Sequence, residues 1–355
     1  MLWLSFSIVF QGYGQLTFSD EKEGEVFYFR HITREQGLPS NVVRYVTQDF
    51  RGYIWIGTDN GLVRYDGHQM RVFRNNPEDP ASLSEDVIHT IFESTDSLLW
   101  VGTGRGFSVY DPYRETFTNY HERPHAHNWF PDVEITRFWE DAEGSIWIGS
   151  HNGLHHYIRQ QGQIVSTLLY DHANGPLENL RSYVNNMAAF PHRPDTLIVG
   201  THVGLLLVDK KSYEVILDLN AGWTEKAAAS AFFFEGDSLL WVVDRAAGLK
   251  RLNLQTLEWK LFDFPVSPLD IAPKSMDALW LATPNMGLVV FNKTEESFTP
   301  HQKSADNPRS LLSNHLQSNI FIDKQNNLWV GGKGGLNMLD RYYRSFRKIM
   351  LPYGL

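Results

Sequence analysis

The strongest constraint on this chain is a short pattern that it writes repeatedly. Trp55-Ile56-Gly57-Thr58-Asp59-Asn60-Gly61-Leu62 returns as Trp100-Val101-Gly102-Thr103-Gly104-Arg105-Gly106-Phe107 and as Trp147-Ile148-Gly149-Ser150-His151-Asn152-Gly153-Leu154. Each copy runs from an aromatic through a β-branched residue and a small pair to a two-residue turn and Gly-Leu. Seven copies fit, anchored at 55, 100, 147, 198, 241, 280 and 329. The fourth has Ile198 in the tryptophan slot, and the fifth and sixth lack the glycine after the tryptophan and carry a longer turn. A period of about 40–50 residues with strand-like units is the signature of a propeller. A parallel β-helix needs shorter repeats, and a helical solenoid needs a 3.6-residue period that is absent. An open row of such sheets would leave exposed edges, whereas a ring leaves only short ones. The chain therefore reads as an all-β, seven-bladed β-propeller of four-stranded antiparallel blades.

The first unit shows why. Val42 to Gln48 reads as a strand, Asp49-Phe50-Arg51-Gly52 as a turn, and Tyr53 to Thr58 as a second strand. Asn60-Gly61 is a strong hairpin signal because both residues tolerate positive φ. Leu62 to Tyr65 and Gln69 to Phe73 complete the sheet. The tryptophan is expected to fill the wedge between blades. The glycine two residues on lets the neighbouring sheet approach closely, and the leucine after the turn points into the core. Phe27 to Ile32 precedes the first unit without a unit of its own, so it is expected to complete the seventh blade. Phe346-Arg347-Lys348-Ile349 and Gly354-Leu355 echo Phe29–Ile32 and Gly37-Leu38. The end of the chain thus reads as the opening of another round of repeats, with residues 350–355 starting a downstream region.

Bulk chemistry narrows the function. Net charge is −9, which argues against nucleic-acid binding, because phosphate contacts need a clustered excess of Lys and Arg. With no cysteine, disulfides, thiolate metal sites and cysteine nucleophiles are excluded. Residues 1–14 contain an apolar run, Leu2–Phe10, too short to span a bilayer. Small residues follow it at Gly12 and Gly14, so the segment reads as the remnant of a secretory signal peptide. Residues 15–26 form a polar lead-in, and the propeller is expected over 27–349. Neither His125/His127 nor His155/His156 has the spacing of a zinc site. Gly331-Gly332-Lys333-Gly334-Gly335 lacks the P-loop spacing. The Asp-x-x-Gly segments read as turns rather than calcium sites. No cofactor or metal is called for.

Gly37-Leu38-Pro39-Ser40-Asn41-Val42-Val43, Gln48-Asp49-Phe50-Arg51-Gly52-Tyr53-Ile54-Trp55-Ile56-Gly57-Thr58, Asn60-Gly61-Leu62 and Arg64-Tyr65-Asp66-Gly67 together resemble the two-component regulator propeller repeat. The resemblance implies the periplasmic ligand-binding sensor region of a hybrid two-component histidine kinase. Such systems respond to oligosaccharides from complex glycans. It also implies partners in the same longer protein, namely a second propeller and kinase regions downstream, and is compatible with a homodimer. It implies no catalytic residue in this stretch.

Turns between second and third strands share one propeller face with the blade-to-blade connections, around the channel mouth, the default place for a ligand. Their occupants differ between blades: Asp59 and Asn60, Arg105 beside Gly104, His151 and Asn152, His202 beside Val203, Arg245, Asn285, and Lys333. Such a ring can grip sugar hydroxyls, or the carboxylates and sulfates of an acidic sugar. The connection from His121 to Asp132 adds His125, His127 and Trp129 beside Phe130; its aromatics either stack a sugar or pin the loop to the blade. Trp223 is a weaker candidate of the same kind. Competing readings are a propeller-fold polysaccharide lyase or glycoside hydrolase, and a protein-interaction scaffold.

Overall fold

The computed structural model describes residues 27–121, 130–159, 163–167, 170–171, 175–176, 183–202, 204–219, 228–245 and 248–340. Seven four-stranded antiparallel sheets follow one another in chain order. In blade one the strands are Val43–Gln48, Ile54–Thr58, Gly61–Tyr65 and Met70–Phe73. Blades two to six repeat that order, each innermost strand packing against the one before it. A two-stranded ribbon, Tyr170–Asp171 with Gly175–Pro176, is inserted before blade four, and the repeat gave no sign of it.

The seventh blade is built from both ends of the propeller. Leu316–Ile322, Leu328–Gly332 and Gly335–Leu339 supply three strands, and Phe29–Ile32 supplies the outermost, pairing Phe29 with Leu339 and Ile32 with Leu336. Phe27 adds an edge contact to the Trp280 ring in blade six. Across the closing seam, the Asn319 side-chain amide bonds both to the Val46 N–H, at 2.8 Å, and to the Val46 carbonyl, at 2.9 Å. The expected closure by the N-terminal strand is what the structure shows. Residues 1–26 and 341–355, with the leader and the C-terminal echo, lie outside the described residues.

Each recurring residue has a physical task. Trp55 sits between blades, packed with Leu83, Ile88, Ile91 and Leu99 of blade two. Its indole N–H donates to Asp49 Oδ2 at 2.9 Å, six residues back in the turn between first and second strands. The same bond recurs from Trp147 to Asp141, from Trp329 to Asp323, from Trp241 to Glu235 and from Trp100 to Ser94 Oγ. In blade six the matching residue is Lys274, whose ammonium lies over the Trp280 ring instead. The Asp-x-x-Gly segments are thus acceptors for tryptophan. Thr58, Thr103, Ser150, Thr201 and Thr283 each donate a hydroxyl hydrogen bond to the carbonyl of the turn glycine.

The small residue of the second strand answers to the next blade. A Cβ on Gly57 would lie 2.8 Å from Ile88 Cγ2, and one on Gly331 would lie 2.5 Å from Val43 Cγ1 across the seam. Close approach of neighbouring sheets, expected from the glycine, is therefore real. Its consequence is a register slip in the innermost strand, and that slip shapes the channel mouth.

Candidate functional site

The variable turns and the blade-to-blade connections meet on one face. The backbone N–H of His151 donates to the carbonyl of Glu134, that of His202 to Tyr183 and that of Arg245 to Ala228. Each acceptor immediately precedes its own blade's innermost strand. The Asp59 and Lys333 N–H groups make equivalent bonds to Val42 and His315.

The innermost strands then bulge one residue in from this face. In blade one, Val43 pairs with Thr58 and Tyr45 with Gly57, leaving Arg44 as the extra residue. The same slip leaves His89 in blade two, Thr136 in blade three, Asn185 in blade four and Ser230 in blade five. Bulges re-aim side chains and gather beside functional sites. Here five of them place polar residues at one level, and blade seven adds a wider irregularity between Leu316 and Ile320. Arg44 Nε and Asn185 Nδ2 are buried with no hydrogen-bond partner. One residue deeper, Arg137 Nη1 donates to Tyr45 Oη at 2.9 Å, so blade three reaches blade one past blade two. Asp270 of blade six lies near Arg137. Burial raises its carboxyl to about 6, against the opposing pull of the Ile320 N–H at 2.7 Å and of the guanidinium.

Above the bulges runs an arc of aromatic and titratable groups. Glu134 Oε1 is 3.1 Å from His89 Nδ1 and 3.1 Å from His151 Nε2. Burial pushes this carboxyl up, but the two imidazoles outweigh it and hold it well below the usual carboxylate range. The Tyr183 ring lies between two imidazoles, 3.7 Å from that of His151 and 3.9 Å from that of His202. Burial first, and Glu134 second, raise its hydroxyl to about 12. His202 is pushed below the ordinary imidazole value by burial, then by Arg245 and His151, and its Nδ1 is buried without a partner.

Of the residues expected around the mouth, His151, His202 and Arg245 come together in this arc. Asp59, Asn152, Asn285 and Lys333 stand on the rim in their turns. Asn60 braces its own turn, its amide donating to the Pro39 carbonyl. Arg105 is held by Asp132, with Nε and Nη2 at 3.1 and 2.9 Å from one carboxylate oxygen. His125, His127, Trp129 and Trp223 lie outside the described residues. Phe130 is fully buried against Phe107 and His155, so it packs into the blade and is not free to stack a sugar. His155 bonds to Ser150 Oγ and His156 stacks on Trp147. Among the described residues no three His, Asp or Glu side chains form a metal-holding group.

His89, Glu134, Tyr183, Arg44 and Asn185 were not picked out by sequence reasoning. The bulge does leave a trace: Val43-Arg44-Tyr45-Val46, Ile88-His89-Thr90-Ile91 and Val184-Asn185-Asn186-Met187 space their apolar residues by three. A regular strand would space them by two.

Comparison with known proteins agrees with the fold. Residues 37–60 match the family described as two component regulator propeller. A curated relative, histidine kinase P4 of Formosa agariphila, is 37% identical over 79 residues, which are 22% of this chain and 6% of that protein. The extracellular domain of a putative hybrid two component system from B. thetaiotaomicron superposes with a TM-score of 0.73 at 19% identity, over 88% of this chain and 42% of that one. A second such domain from the same organism gives 0.70 at 23%, over 88% and 40%. The chain thus spans about two-fifths of the length of these solved domains, and at such identities they share its fold. Residues 37–60, in the first blade of the seven-bladed ring, carry the two-component regulator propeller repeat.

Proposed function

We propose that this chain is the ligand-binding part of an extracytoplasmic sensor in a two-component system, and that it binds an oligosaccharide from a complex glycan at the channel mouth without cleaving it. One observation carries the reading. Buried polar atoms without partners, Arg44 Nε, Asn185 Nδ2 and His202 Nδ1, belong to two innermost-strand bulges and a turn on the same propeller face. Leaving such a group unsatisfied costs about 1–3 kcal/mol, a cost that a polar ligand relieves. Half-buried Tyr183 lies against the rings of both His151 and His202, so its side chain holds in place the imidazoles that would meet the ligand. The family match and the names of the relatives support the signalling context. In this reading the chain works in the periplasm, with a further propeller and a histidine kinase in the same longer protein. Oligosaccharide arrays followed by calorimetry and product analysis test it. Binding that Tyr183→Ala abolishes, with the sugar recovered intact, is the expected result. Shortened or unsaturated products would instead make the chain an enzyme.

A further inference from the structure

We infer that the ligand presents an oxyanion, a carboxylate or a sulfate, to the floor of the mouth, with Arg44, Asn185 and His202 as its seat. This rests on the reading of the mouth as the binding site and names the chemistry it selects.

Partnerless atoms decide the sign. Arg44 Nε and Asn185 Nδ2 are hydrogen-bond donors only, and both are buried without an acceptor. His202 Nδ1 is the third such atom, and an imidazole nitrogen donates in one tautomer and in the protonated ring. Against these stands, among the described residues, one partnerless buried acceptor on this face, Glu85 Oε2, at the blade-two turn where a Cβ on Gly104 would lie 3.1 Å away. A neutral sugar hydroxyl brings a donor with every acceptor. A carboxylate or sulfate brings acceptors only and satisfies a donor-rich floor without adding unmet donors.

The charges agree. Glu134, the carboxylate of the arc, is taken up by His89 and His151, and Asp132 is taken up by Arg105. Asp270 sits one level down, near Arg137. Among the described residues no carboxylate lies within ion-pair distance of Arg44, Arg245 or Lys333, so three cationic side chains remain around the mouth, against two unpaired carboxylates there, Asp59 on the rim and Glu85 at the blade-two turn. In a chain of net charge −9, this small excess of unpaired cations runs against the prevailing charge. An anion in a partly buried, donor-lined recess gains charge-assisted bonds of roughly twice ordinary strength.

Calorimetry with the intact chain provides the test. The probes are oligogalacturonides, the same oligomers methyl-esterified, sulfated chondroitin oligosaccharides and their desulfated forms. One acidic series is expected to bind, and removal of its charge should weaken it about ten- to a hundredfold. The sulfated pair and the esterified pair separate the two oxyanions. Asn185→Asp, which puts a carboxylate where the donor was, should abolish that binding while the melting temperature stays put. Arg44→Gln should weaken it and flatten its salt dependence. Equal affinity for charged and neutral forms overturns the inference, as does failure of every acidic probe at millimolar concentration. A neutral sugar whose binding Tyr183→Ala removes would sink the oxyanion and keep the mouth as the site. A bound sugar indifferent to all mouth substitutions would sink both.

Discussion

Asp323 is where the repeat's internal bracing can be measured. Its carboxylate is 4% exposed and accepts four hydrogen bonds. Oδ1 takes the N–H groups of Gln325 and Asn327 at 2.9 and 2.8 Å. Oδ2 takes the Asn327 amide at 2.9 Å and the Trp329 indole N–H at 2.8 Å. In Asp323→Ala the turn N–H groups can turn to water, at little more than the net value of each bond, about 1 kcal/mol. The Trp329 N–H cannot, because its ring is wedged among Val43, Val46 and Ile56 of blade one. Stranding it costs about 1–3 kcal/mol. With the three bonds other than that from Trp329 at about 1 kcal/mol each, the sum is about 4–6 kcal/mol, exceptional for one residue. Asp323→Asn keeps one acceptor and should lose about 1–2 kcal/mol. Ser94→Ala in blade two strands the equally buried Trp100 N–H, at about 1–3 kcal/mol, and also loses the Ser94 hydroxyl bonds to Asp96 and the Leu98 carbonyl, so it should lose about 2–4 kcal/mol. Urea unfolding followed by tryptophan fluorescence reads all three. Equal midpoints for Asp323→Ala and the parent chain would refute the bracing argument. So would an Asn variant as damaging as the Ala variant.

Other expectations follow from the same contacts. Gly331→Ala places a methyl 2.5 Å from Val43 Cγ1 at the ring's seam, and calorimetric melting should show a loss of about 1–3 kcal/mol. His155, 3% exposed, has its imidazole lowered by burial to about 4. The unfolded chain takes up this proton near pH 6.5 and the folded chain does not, so stability present above 6.5 drains away as pH falls towards 4. The slope is up to about 1.4 kcal/mol per pH unit, and unfolding of His155→Gln should lack that component. Deleting residues 1–32 leaves blade seven with three strands, and the variant should lose its single cooperative transition in denaturant titration.

Fold and site differ in how far the sequence discloses them. The tryptophan, the glycine and the Thr or Ser beside it recur because each blade meets an equivalent neighbour. Fixed spacing therefore exposes them, and the N-terminal strand shows itself by having no unit of its own. Site residues meet no common neighbour. His151, His202 and Arg245 were visible as variable positions inside a constant frame. Nothing in that frame separated them from Asn60, which braces its turn, or Arg105, which is tied to Asp132. Glu134 and Tyr183 stand one residue before an innermost strand, where loop and strand look alike in sequence, and their role arises from neighbours in other blades.

The frame and the mouth are nonetheless coupled through one position. Gly57, Gly102, Gly149, Gly200 and Gly331 occupy the slot two residues after the anchor, and the innermost strand of the blade following each one carries a bulge. In blade five the slot holds Val243, and the innermost strand of blade six, Asp270–Pro273, pairs without any slip. The contacts supply the reason. Bare glycine backbone lets the first apolar residue of the next strand, such as Ile88 or Val43, press into the blade before it. The strand must then lift one residue to regain its ladder, and the lifted residue is Arg44, His89, Thr136, Asn185 or Ser230. Where Val243 fills the slot there is no room to press in and no residue to lift, and blade six offers the deeper Asp270 instead. A glycine that reads as pure packing thus accompanies a lifted polar residue in five blades, while blade seven, which follows Ala282 in the same slot, carries a wider irregularity of its own.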